Sequence, residues 1–101
     1  MIPNKQCMRD ILKFVSENAK VKVDDTEFRN ITMSTLNVAH LLNKMPKEGK
    51  HTIEEVAYNF LQCYYNGFIK ADIKFQQKMI QSPTSYIIGI TLDGIDFLNQ
   101  E

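Results

Sequence analysis

The chain has 101 residues, of which 12 are basic and 12 acidic, and its formal net charge is zero. An apolar content of 44% suits one domain with one core, and no stretch approaches the ~20 apolar residues of a membrane span. The balanced charge argues against a strong sequence-independent nucleic-acid binder, because neutralising phosphates takes surplus Lys and Arg; a local basic face remains open.

The first predicted element is a helix from about Lys5 to Asn18. Met8, Ile11, Leu12, Val15 and Ala19 recur at helical spacing, and Asn4 is placed to accept a free amide of the first turn. The next segment, VKVDDTEF, is polar and reads as a loop, with a short strand expected at Phe28 to Thr32. Ser34 or Thr35 then opens a second helix with Val38, Leu41, Leu42 and Met45 inside, closed by Pro46. Lys47 to Lys50 make the turn that follows.

The third helix carries the clearest local signals. Thr52 and Glu55 have the spacing of a capping box. Ile53, Val56, Ala57, Phe60, Leu61 and Tyr64 follow at helical spacing, and Asn66 with Gly67 supplies a left-handed stop. The period then changes. Ile69, Ala71, Ile73 and Phe75 alternate with Lys70, Asp72 and Lys74, as on a half-buried strand. Gln76 to Pro83 reads as a loop. Tyr86, Ile88 and Ile90 alternate on a second strand, and Thr91 caps a last helix with Leu92, Ile95 and Leu98 inward.

A capped helix followed by two strands with a loop between them is the layout of a wing. The predicted fold is α+β and mainly helical: a winged helix-turn-helix with a three-helix core, a two-stranded wing and a short C-terminal helix, in one domain over residues 1–101. The alternative is a generic small α+β domain ending in a hairpin.

The segments CMRDIL, VAYNFLQCYYNGFI and GITLDGIDFL resemble a family of short proteins of unknown function, common in phages, prophages and mobile elements of Gram-positive bacteria. The resemblance spans most of the chain, with Lys20 to Gly49 undiagnostic, and implies a winged helix with no established activity. Two histidines of the family pattern are replaced here, by Asn59 and by Ile95.

No catalytic, metal or cofactor signature is visible. Cys7, Cys63, His40 and His51 show no ligand spacing, no base accompanies a nucleophile, and Gly49, Gly67, Gly89 and Gly94 stand singly. Both cysteines fall in apolar stripes and read as buried reduced thiols. MIPNKQCMRD lacks the apolar run of a signal peptide, so the expected location is the cytoplasm.

Two roles remain. As a DNA-binding regulator, the protein would present the third helix to the major groove of double-stranded DNA. Tyr58, Asn59 and Gln62 would then be contacts, with Lys50, Lys70, Lys74 and Lys78 on phosphates. As a protein-interaction or homodimerisation module, it would use exposed aromatics among Phe14, Phe28, Tyr58 and Tyr65. Glu54 and Glu55, at the end of the helix that would lead into the groove, favour the second role.

Overall fold

The computed structural model describes residues 1–100. The fold is α+β, with four α-helices and a small three-stranded antiparallel sheet. Helix α1 (Lys5–Asn18) is capped by the Asn4 side chain, which accepts from the Cys7 amide. It buries Cys7, Met8, Ile11, Leu12 and Val15, and its main partner is the third helix.

Strands β1 (Lys20–Val23) and β2 (Ile31–Ser34) come next and pair antiparallel, where a loop and a strand at 28–32 were expected. All eight residues are exposed, so the short alternations KVKV and ITMS, each of only four residues, meet no core. Strand β3 (Leu36–Asn37) pairs with the last strand. That pairing delays the second helix: α2 (Val38–Lys44) is capped by Asn37, two or three residues beyond the expected caps, its side chain accepting from the His40 amide. A 3₁₀ turn at Met45–Glu48 follows, with Pro46 inside it and Gly49 at φ 83° ending it.

Helix α3 (Ile53–Tyr65) has the full capping box. The Glu55 amide donates to the Thr52 hydroxyl, and the Thr52 amide donates to the Glu55 carboxylate. Gly67, at φ 74°, turns the chain into β4 (Ile69–Asp72). The expected loop holds a small hairpin, β5 (Phe75–Gln76) with β6 (Met79–Ile80), and a 3₁₀ turn at Ser82–Thr84. Strand β7 (Tyr86–Ile90) returns between β3 and β4, and α4 (Leu92–Leu98) closes the chain with Thr91 accepting from the Gly94 amide.

Three inward faces differ from expectation. On β7 it is Ile87 that is buried, while Tyr86 is exposed. Lys70 pairs with Gly89 but Ala71 with Ile87, so Ile88 is an extra residue at a bulge, and the bulge breaks the alternation. Phe75 lies past the end of β4 and is 51% exposed. On α4, Gly94, Phe97 and Leu98 face inward, whereas Leu92 and Ile95 are exposed.

Gly94 sets the rotation of α4. A Cβ there would collide with the Phe68 carbonyl oxygen and the Ile90 side chain. This close approach lets Thr91 hold the preceding turn, its amide donating to Phe68 O (3.0 Å) and its hydroxyl to Gly67 O (2.6 Å). Phe97 then stacks on Phe68 with ring centroids 4.6 Å apart, and Arg9 lies over the Phe97 ring. Gly94→Ala is therefore expected to cost about 1–3 kcal/mol by overpacking, measured by urea unfolding, with Gly89→Ala as the control because nothing lies within 4 Å of a Cβ there.

Candidate functional site

Asn59, expected on the outer face of α3 as a DNA contact, is 1% exposed. Its carbonyl oxygen accepts from the Asn4 amide (2.9 Å) and its amide group donates to Glu55 O (2.8 Å). The side chain is an internal tie between the start of α1 and the middle of α3, and it cannot meet a partner. Such a burial is tolerated because these two bonds replace the lost water.

The side of α3 away from Val56, Asn59, Phe60 and Cys63 is what remains for contact. It presents Glu54, Tyr58, Leu61, Gln62 and Tyr65; Tyr58 and Gln62 are half-buried and Tyr65 is exposed. No residue of α3 is Lys or Arg. Its first turn carries Glu54 and Glu55, and the capping box occupies the Glu55 amide, so this helix end is poorly suited to a phosphate.

The four candidate lysines are all exposed but do not form one face. Lys50 lines a polar depression with Asp10, Lys13, Phe14, Glu17 and Glu48, beside α1. Lys70 and Lys74 share the solvent side of the β4 segment, and Lys74 is tied to Asp72 at 3.2 Å. Lys78 lines a separate groove.

That groove has a volume of about 290 Å³ and runs between α2, α3 and the β5–β6 hairpin. Val38, Leu42, Ala57, Phe60, Leu61 and Ile80 make it apolar, with Lys78 and Ser82 as its polar members. Sequence reasoning missed it because Leu42 and Leu61 read as ordinary core, while Ile80 fell in an expected loop. The hairpin is anchored at its root by Ser85, which is fully buried. The Ser85 hydroxyl accepts from the Lys74 amide and donates to Gln81 O, each at 2.9 Å, and the Gln81 amide donates to Lys74 O.

The remaining reactive side chains are engaged elsewhere. Burial pushes the Cys7 thiol up to about 11, with Glu55 and Asp10 adding to it, and the Cys63 thiol up to about 12, with Cys7 adding to it. Both are therefore protonated thiols near neutral pH, unsuited to nucleophilic attack. His51 bonds Asp10 at 2.8 Å. Among the described residues no group of three or more His, Cys, Asp or Glu is placed to hold a metal, and no helix is long and apolar enough to cross a membrane. Comparison with protein-family models, curated proteins and solved structures finds no match.

Two outcomes follow from these contacts. Asn59→Ala leaves the Asn4 amide unpaired and is expected to cost about 1–3 kcal/mol in chemical unfolding. Burial acts to raise the Asp10 carboxyl, but hydrogen bonds from His51 and Gln6 and the positive charges of His51 and Lys50 bring it below its ordinary value. A carboxylate lowered in the folded state stabilises above its unfolded pKa and loses that contribution as pH falls through the folded pKa. Wild type should thus lose more stability than Asp10→Asn between about pH 5 and about pH 2, read from unfolding midpoints across that range.

Proposed function

We propose that this chain is a winged helix that works as a protein-interaction module, through the outer face of α3 and the groove beside it. The winged-helix reading is supported by the order α1, β3, α2, α3, β4, β7, by a three-stranded sheet in which the short strand before α2 joins the two strands after α3, and by the β5–β6 hairpin as the wing tip. The resemblance to short phage-associated proteins is in keeping with it. The role is binding rather than catalysis.

The observation that carries the interaction reading is the chemistry of α3. A helix without a cation, with two glutamates in its first turn, is mismatched to the phosphate backbone that supplies most of the affinity for DNA. Leu61, Tyr58 and Tyr65 suit an apolar partner surface instead. An amphipathic helix, its apolar row in the groove and an acidic residue meeting Lys78, is the kind of partner this shape accepts.

A second reading, as a DNA-binding regulator, is favoured by one observation: Lys44, Lys47, Lys70 and Lys78 are exposed before and after α3. In that role Tyr58 and Gln62 remain contacts. Fluorescence anisotropy with mixed-sequence duplex DNA at about 20 mM salt separates the two, since electrostatic binding is strongest there. A flat titration is expected. Saturable binding that disappears in Lys70→Glu/Lys78→Glu would establish the DNA reading. In parallel, co-purification should recover a partner that Leu61→Lys, placed in the groove wall, no longer retains.

A further inference from the structure

The sequence contains eight asparagines, and Asn66 alone is followed by glycine. In such a pair the backbone nitrogen of the glycine can attack the asparagine side chain with least hindrance, because no Cβ stands beside it. Asn66 and Gly67 are both exposed, at the end of α3. The turn that holds them is closed by hydrogen bonds on every side. The Phe68 amide donates to Cys63 O (2.9 Å) and the Gly67 amide to Tyr64 O (3.1 Å), with Gly67 left-handed at φ 74°. The Asn66 side-chain amide donates back to Gln62 O (2.7 Å). A residue far along the chain completes the closure: the Thr91 hydroxyl donates to Gly67 O (2.6 Å) and the Thr91 amide to Phe68 O (3.0 Å). The attacking nitrogen and the group it would attack are thus engaged with two different carbonyls of α3.

We propose that Asn66–Gly67 is a site of self-modification, where the side-chain amide is converted to aspartate and isoaspartate at a rate set by the opening of this turn. Helix ends open locally far more often than the whole domain unfolds. Opening frees the Gly67 N–H from Tyr64 O. The nitrogen gives its proton to hydroxide and attacks Cγ of Asn66. A bond forms between that nitrogen and Cγ, the Cγ–Nδ2 bond breaks, and the amide nitrogen takes a proton from water and leaves as ammonia. The product is a cyclic imide joining residues 66 and 67. Water then opens one of its two carbon–nitrogen bonds, the hydroxyl going to carbon and the hydrogen to the Gly67 nitrogen. Cleavage at Cγ gives aspartate in an unaltered backbone. Cleavage at the main-chain carbonyl carbon gives isoaspartate, with the backbone running through Cβ and Cγ. Water is the only co-reactant consumed.

Both products place a carboxylate at the C-terminal end of α3, where the helix dipole disfavours negative charge, next in sequence to the exposed Tyr65. Isoaspartate also lengthens the backbone immediately before Gly67 O and Phe68 O, the two carbonyls that Thr91 holds. Phe68 carries the ring that stacks on Phe97. The modification therefore loosens the seat of α4 as well as changing the charge at the end of α3. It does not depend on how the outer face of α3 is used.

Peptide mapping by mass spectrometry tests it on the full chain, aged at neutral pH and physiological temperature, with isoaspartyl methyltransferase labelling to separate the two products. The expected result is acid at position 66 before any other asparagine, in both linkages, at a rate that rises with pH. In concentrated urea the same chain should react roughly tenfold faster or more, because no turn has to open. Thr91→Val removes the hydroxyl bond to Gly67 O, and should speed the reaction in the folded chain while leaving the rate in urea unchanged. Thr91→Ser, which keeps the hydroxyl, should stay near wild type. Asn66→Gln, which would have to form a larger ring, should remain unmodified at that position. A folded wild-type chain that keeps Asn66 intact overturns the proposal. So does a folded chain that reacts as fast as one in urea, or a Thr91→Val chain with wild-type helical signal that reacts no faster than wild type.

Discussion

The outer face of α3 follows from how α1 lies on that helix, and one carboxamide ties the two together. Asn59 holds the peptide of Asn4, and Asn4 in turn caps α1. A bond at each end of one rigid planar group determines both where α1 begins and how α3 is rotated beneath it. Val56, Phe60 and Cys63 pack on the same side of α3 and would tolerate small slips, since apolar contact has no direction. The hydrogen bonds do not tolerate them, because a slip would leave polar atoms buried and unpaired. With that rotation set, Tyr58, Leu61 and Tyr65 have only the outward side left to them.

A net charge of zero hides an uneven distribution. Acidic residues gather at the start of α3 and at the tip of the β1–β2 hairpin. Lysines gather in the turn before α3, along β4 and on one face of β1. A helix that enters the major groove is expected to have cations standing where the phosphates would be. Here the cations flank that position and the helix itself is neutral to acidic. Lys74 is drawn to Asp72, and Lys50 belongs to the surface beside α1. In the proposed interaction role, recognition would rest on short-range, shape-dependent contact by apolar and aromatic side chains rather than on charge.

What could be read from the sequence was what a few adjacent residues decide. The Thr52–Glu55 box, the Asn4 and Thr91 caps and the Gly67 stop each involve groups within about one helical turn, and each stands where it was expected. What could not be read depends on distant partners. Asn59 looks like a surface residue until the Asn4 peptide, 55 positions away, supplies its bond. The inward face of β7 depends on a bulge opposite β4, and that of α4 on the contact between Gly94 and Phe68. The β1–β2 hairpin was hidden for the opposite reason: neither of its faces is buried within the chain, so the alternation in KVKV had no core to refer to.

Ser85 has one further consequence. By closing the root of the β5–β6 hairpin from both sides, it separates the mechanical task of joining that hairpin to the body from whatever the tip does. Gln76, Gln77 and Lys78 lie outside that closure and are exposed. Exposed tips beyond a secured base are where chains accept insertions and exchanges most readily. The tip is therefore a replaceable part: its length and composition can drift between descendants of this sequence, changing one wall of the groove while the helices and sheet below keep their shape.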